Sequence, residues 1–209
     1  MKNKVQEYIN LVNTAIEKAE RLESNLPPQG LGIGGNMSGK RGNHFLNNLV
    51  FEECNYLEVG CWQGSTLCSA LYKNKPNKSF SIELHTQDQL LENIQKYIVW
   101  NHTHFTSDCF NINLKENGIE NIDVYFYDAN HRTQDQYDAL DYYIDSLSDV
   151  FIFIVDDWNG TGEHDVSGGT YNIIKDLNLT IHLDASKHDN ENPEGYHNGF
   201  GIFVLEKNK

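Results

Sequence analysis

The sequence predicts an α/β fold: a mostly parallel seven-stranded sheet, helices on both faces, and an antiparallel last strand. Three observations carry this. Short apolar runs alternate with helix-period segments from residue 55 to about residue 180, the pattern of parallel strands joined by crossover helices. Several of the runs end on an acid, and the first leads into a turn with two glycines, Glu58-Val59-Gly60-Cys61-Trp62-Gln63-Gly64-Ser65. The last two runs are joined by a loop too short for a crossover helix, so the final strand is antiparallel.

The elements follow in order. Residues 4–25 set Val5, Ile9, Val12, Ile16, Ala19 and Leu22 among charges, an amphipathic helix ending before Pro27-Pro28. Residues 29–43 form a glycine-rich linker expected to order over a ligand. Gly34-x-x-x-x-Gly39-Lys40 half-matches a P-loop, but Arg41 stands where Ser or Thr is needed and no strand precedes it, so that reading fails. A short helix over 44–53 leads to the stretch that organises the chain, Asn55–Thr66. Its strand is Tyr56, Leu57 and Val59; its helix continues through Leu67, Cys68, Ala70 and Leu71. Gly60 and Gly64 lack a Cβ and are expected to let the turn pass close to a bound molecule, which the next helix's amides would face.

Strands are then expected at 78–84, 104–107, 122–127 and 149–155, with helices at 88–99 and 134–147. The run Asp149–Val155 is the most hydrophobic and should be central. A helix at 170–177 and strands at 180–183 and 201–205 complete a Rossmann-like domain over residues 44–209, preceded by a helix and lid segment over 1–43. Two polar loops, 158–169 and 184–198, fall on the expected ligand side and should set specificity.

The chain has 209 residues and a formal net charge of −14, which argues against non-specific binding to nucleic acid or acidic membranes. Cys54, Cys61, Cys68 and Cys109 form no CxxC pair and are expected to be reduced core residues. No stretch has the length of a membrane span and residues 1–20 are too polar for a signal peptide, so the expected location is cytoplasmic.

Carboxylates end the predicted strands at Glu58, Glu83, Asp108, Asp128 and the pair Asp156-Asp157, where an open α/β sheet binds its ligands. Glu83, 25 residues past Glu58, is placed to accept the hydroxyls of a ribose. Asp108 could reach an adenine amino group or be an ordinary turn residue; Glu58 could bond backbone amides or a ligand ammonium. Asp128, Asp156 and Asp157 would repel one another unless a cation neutralised them, and their oxygens suit Mg²⁺ or another divalent cation. The alternative for Asp157 is a helix cap. His131 follows Asp128 by three residues, where an imidazole can serve as general base or simply sit at the surface. His164, His188 and His197 are expected to face solvent, while Trp62 and Trp158 could wall a pocket.

With these residues in view, the chain resembles the class I S-adenosylmethionine-dependent methyltransferases. Glu58-Val59-Gly60-x-x-x-Gly64-Ser65 is similar to their first motif and Glu83 to their ribose-binding acid. Asp128-x-x-His131 and Val155-Asp156-Asp157 resemble the metal-dependent O-methyltransferases of the macrocin and sugar type. The resemblance implies S-adenosylmethionine as methyl donor, a divalent metal on Asp128, Asp156 and Asp157, and His131 as base. Met37-Ser38-Gly39 resembles a loop that closes over the donor in some of those enzymes. The implied acceptor is a small-molecule hydroxyl, such as a free sugar or nucleotide sugar, with no nucleic-acid or membrane partner. Two alternatives stand beside it: a metal-free methyltransferase or donor-degrading lyase, and a non-catalytic nucleoside-binding or assembly protein on the same fold.

Overall fold

The computed structural model describes residues 2–34, 38–189 and 192–208. Its seven strands are β1 (Asn55–Val59), β2 (Lys78–Glu83), β3 (His102–Thr106), β4 (Ile122–Tyr127), β5 (Leu147–Val155), β6 (Leu179–Asp184) and β7 (Gly201–Lys207). They form one sheet in the order β3-β2-β1-β4-β5-β7-β6. Strands β1 to β5 run parallel, and β7 is antiparallel to both neighbours. The chain first winds outward from β1 to β3, then returns to β4 and winds the other way. The reversal lies between β1 and β4, where such sheets open a crevice beyond their strand ends.

Helices α1 (Lys2–Glu20), α2 (Gly39–Leu49), α3 (Ser65–Leu71) and α4 (Asp88–Tyr97) are followed by α5 (Thr133–Tyr143) and α6 (Val166–Asp176). The period-two alternation of the central strands divides the core. Val124, Phe126, Ile152 and Ile154 pack with α1, α2 and α3 on one face; Tyr125, Tyr127, Phe151 and Phe153 pack with α5 and α6 on the other. Both faces are covered, so β4 and β5 are apolar along nearly their whole length. Among the described residues no helix is long and apolar enough to cross a membrane.

Several boundaries differ from the sequence expectation, and three of them have a clear local reason. Helix α1 stops at Glu20 instead of running to residue 25, because Leu22 takes a left-handed backbone (φ 53°). The Glu23 amide there donates back to the Lys18 carbonyl (2.9 Å), closing the helix end. Helix α2 begins at Gly39, inside the predicted linker, and ends at Leu49. Its glycines are contact residues: a Cβ on Gly39 would lie 2.3 Å from the Gly195 carbonyl oxygen, and one on Gly42 would lie 3.1 Å from the Phe200 ring. Helix α6 starts at Val166, earlier than predicted, because Asp165 caps it by accepting the Gly168 amide at 2.8 Å.

One buried carboxylate fastens the first helix to the sheet. Asp123 on β4 accepts from Lys4 Nζ (2.8 Å), Tyr8 Oη (2.8 Å), Ser148 Oγ (2.9 Å) and the Asn55 amide (3.0 Å). It therefore ties α1, β1, β4 and β5 together at the end of the sheet opposite the crevice. Asp123→Ala leaves two hydroxyls and a strand amide without their acceptor. The expected cost is about 2–4 kcal/mol, measured by urea unfolding; a change under roughly 0.5 kcal/mol, the scale of an ordinary surface substitution, would show that α1 is held by apolar contact alone.

Candidate active site

The turn after β1 is fixed by backbone. Gly60 continues the ladder by donating to the Ile82 carbonyl (2.9 Å), and the Asp128 amide donates to the Val59 carbonyl (2.8 Å). Gly60 has φ 84°, and a Cβ there would sit 2.1 Å from the Asp128 carbonyl oxygen. Gly64 has φ 83°, and its Cβ would meet Leu90 of α4 at 2.8 Å. The sequence reading tied both glycines to a nearby ligand. In the structure they are required by the neighbouring strand end and the neighbouring helix.

Glu83, at the end of β2, closes over this turn. Its Oε2 accepts the Cys61 amide (2.9 Å) and the Trp62 amide (2.8 Å), while its Oε1 receives only the longer His85 amide contact (3.3 Å). Glu58 points into the protein. It is fully buried and accepts from Tyr56 Oη (2.6 Å) and Thr66 Oγ1 (2.7 Å), pinning the start of α3 to β1. Burial pushes its carboxyl up to about 7, although these donors and the Leu67 amide pull the other way.

A cavity of about 550 Å³ opens beyond these strand ends. Gly60, Ser65, Glu83 and Asp108 line it, with Ser38 at the start of α2; Asp128, His131, Asp156 and Asp157 line its other side. Glu58 and Gly64 support its wall from behind, and Met37 lies outside the described residues. Asp108 Oδ1 accepts the Phe110 amide (2.9 Å), the ordinary turn contact.

Asp128 and Asp156 face each other carboxyl to carboxyl. Burial, and then the neighbouring carboxylates, push Asp128 well above its ordinary value and Asp156 up to about 8. Two such groups cannot both carry charge without a proton or cation between them. Asp157, expected to complete a trio with them, is directed elsewhere. Its backbone is left-handed (φ 53°), its Oδ1 accepts from Asn198 Nδ2 (3.0 Å), and its Oδ2 lies 3.5 Å from His131 Nε2. Among the described residues no group of three His, Cys, Asp or Glu side chains is gathered to hold a metal ion. His131 also lies 3.8 Å from Asp128, and burial lowers its proton affinity, so its neutral form is favoured.

Several lining residues were not singled out from sequence. Tyr127 Oη, Asp135 Oδ2 and His197 Nδ1 are buried and have no hydrogen-bond partner among the described residues, as is true of His131 Nδ1 and Asp156 Oδ1. Five of the side chains that line the cavity thus carry a buried polar atom with no partner among the described residues, a costly arrangement unless water or a ligand completes it. Tyr127 was legible only as an alternating strand residue, and His197, expected to face solvent, instead lines the cavity with its Nδ1 buried. Trp62 lines the cavity as expected, with a left-handed backbone (φ 41°), whereas Trp158 packs against Tyr171 and Phe203 in the core. A clasp joins the start of α2 to the loop before β7, two segments that give Ser38, His197 and Asn198 to the cavity wall. Lys40 Nζ binds Glu194 (2.8 Å), the Lys40 amide donates to Pro193 O (2.9 Å), and the Gly42 amide donates to Gly195 O (3.2 Å).

Solved structures with this architecture include an O-methyltransferase from Bacillus cereus in complex with SAH. It is 16% identical, with TM-score 0.60 over 92% of this chain and 91% of that one. M. jannaschii TYW2 in complex with AdoMet is 14% identical, with TM-score 0.62 over 85% and 80%. An rRNA methylase from Streptococcus thermophilus is 12% identical, with TM-score 0.54 over 80% and 94%. The chain has the class I S-adenosylmethionine-dependent methyltransferase fold. More narrowly, residues 57–158 match a family described as a methyltransferase domain, a stretch running from β1 to just past the Asp156-Asp157 pair. No curated protein matches the sequence.

These likenesses correct the expected partners. A small hydroxyl compound or sugar as acceptor, with nucleic acid excluded, does not stand, because an rRNA methylase shares the fold over 94% of its own chain. The exclusion rested on net charge, which is summed over the whole surface, whereas an acceptor meets only the rim of the cavity.

Glu58 yields a pH test. Its carboxyl holds a proton more tightly when folded than when unfolded, so its contribution to stability is greatest below about pH 4.5 and declines as pH rises to about 7. The amount is roughly 3 kcal/mol, at 1.36 kcal/mol per pKa unit. Glu58→Gln cannot ionise, so in ligand-free protein its stability relative to wild type should rise by about that amount over the same interval. Urea unfolding at each pH is the measurement; a pH-independent difference would mean that Glu58 titrates normally.

Proposed function

We propose that the protein is an S-adenosylmethionine-dependent methyltransferase acting on an acceptor oxygen. The observation that carries this reading is that one cavity is bounded on one side by the glycine turn and Glu83 and on the other by Asp128, Asp156 and His131. Donor recognition and acceptor chemistry therefore meet in one space.

The donor supplies a methyl group on a positively charged sulfur, displaced in line by the acceptor oxygen, with the C–S bonding pair left on the sulfur. Glu83 holds the turn with Oε2 and offers Oε1 to ribose hydroxyls; Asp108 and Phe110 border the space for the base. Ser38, Gly60 and Ser65 wall the remainder. His131, favoured in its neutral form by burial, takes the hydroxyl proton as the new C–O bond forms. Placing the two reactants in contact is the larger part of the rate gain.

Metal assistance belongs to the same proposal. Asp128 and Asp156 fit a hard divalent cation: they are paired oxygen donors that require a positive charge between them, and Asp156 Oδ1 is buried without a partner. Mg²⁺ is commonly held by one or two carboxylates with water and substrate oxygens, so Asp157 need only stand beside the site. Such an ion, when bound, lowers the pKa of a coordinated hydroxyl.

Two measurements test this. Wild-type protein should bind S-adenosylhomocysteine in titration calorimetry, and Gly60→Val should weaken it about 10-fold or more through backbone strain, since its Cβ would collide with the Asp128 carbonyl. No wild-type binding at millimolar ligand would refute the donor assignment. His131→Ala should keep that binding yet lose roughly 10²–10⁴-fold in turnover, while Asp156→Asn or EDTA should abolish turnover and leave donor binding intact. Turnover that ignores EDTA would remove the metal from the mechanism.

A further inference from the structure

A second cavity, of about 620 Å³, lies against the first. Asn130, His131, Asp157 and Asn198 line both, so the two spaces share the proposed base as a common wall. The second is otherwise formed by the polar loop after β5, with Arg132 and His164 on its wall. An acceptor entering from this side reaches His131 without passing through the donor space.

Asp128 and Asp156 line the first cavity and not the second, and Arg132 lines the second and not the first. The chain has three arginines: Arg21 is paired with Glu23 (3.0 Å) and Arg41 with Glu20 (3.1 Å). Arg132 alone among them has no carboxylate partner among the described residues, although the chain carries 30 acids against 16 lysines and arginines. Beside it, His164 is oriented by the His131 carbonyl, 3.3 Å from its Nδ1. The one acid shared by both spaces, Asp157, is already engaged by Asn198 and faces His131. A guanidinium on a cavity wall, with no carboxylate partner among the described residues, matches the paired oxygens of a phosphate better than any neutral group.

We infer that the second cavity is the acceptor site and that the acceptor bears a phosphate close to its reacting hydroxyl, held by Arg132. This rests on the methyltransferase reading above and names its substrate class. Arg132 and His131 are neighbours in sequence and both line this cavity, so a phosphate held by Arg132 leaves a nearby hydroxyl toward His131. A ribonucleotide has this arrangement, and so does each residue of an RNA strand. The transfer leaves the phosphate unchanged: the methyl carbon gains a bond to the hydroxyl oxygen, and His131 keeps the proton.

The test uses the full chain saturated with S-adenosylhomocysteine. Calorimetry compares the four ribonucleosides, the four ribonucleoside monophosphates and a short random-sequence RNA. Phosphate-bearing probes should bind at least about 10-fold more tightly than nucleosides, the scale of one charge-assisted contact. Arg132→Ala should erase that difference, weakening the phosphorylated probes about 10- to 100-fold, and Arg132→Lys should restore part of it. Neither substitution should alter S-adenosylhomocysteine affinity, because Arg132 does not line the donor cavity. Preference for the monophosphates supports a free nucleotide as the source, and preference for the oligomer supports RNA. Intact S-adenosylhomocysteine binding with no phosphate preference, or an Arg132→Ala protein equal to wild type, overturns the inference and leaves the methyltransferase reading standing. Loss of S-adenosylhomocysteine binding by wild type overturns both.

Discussion

The backbone contact between Gly60 and Asp128 governs the geometry of the site. Strands β1 and β4 are neighbours at the point where the sheet reverses its winding, and their ends are held together beyond the last paired side chains. The absence of a Cβ at Gly60 lets the two chains touch there. The chain after β1 turns toward Glu83, and the chain after β4 carries Asp128 and His131. A side chain at Gly60 would part them, and the glycine turn would no longer face the acidic wall. Glu83 and Glu58 then act as two fasteners on opposite sides of the turn, one gripping its amides and the other the first turn of α3.

A second constraint is electrostatic. Asp128 and Asp156 come from adjacent parallel strands in register, so their closeness follows from the sheet itself. Burial raises the cost of ionising both at once. Asp157 avoids the same conflict by turning its backbone into the left-handed region and accepting from Asn198. The strained residues Trp62 and Asp157 both border the cavity, a location where such conformations are commonly kept for function.

Much of this was legible in the sequence. Strand ends are marked by a change from apolar runs to acids, and the sheet converts that one-dimensional pattern into convergence at one rim; Glu83, Asp108, Asp128 and Asp156 all line the cavity for this reason. What was not legible depended on partners distant in sequence. Gly60 was readable as a turn glycine, but the Asp128 carbonyl that requires it lies on another strand. Asp123 looks like any strand acid until Lys4, Tyr8, Asn55 and Ser148 are brought to it. Glu58 carries a motif acid's position, yet the tyrosine and threonine that claim it leave no face toward the cavity. The start of α2 was hidden by glycines that local propensity assigns to a loop and that close packing on Gly195 and Phe200 assigns to a helix.

The clasp beside the cavity joins segments 154 residues apart in the chain, Lys40 near its start and Glu194 near its end. An exposed ion pair and two backbone hydrogen bonds tie the loop before β7 to the start of α2, and Tyr196 of that loop is buried against Phe45 of the helix. A substitution in either segment is therefore felt at the other, although most of the chain lies between them.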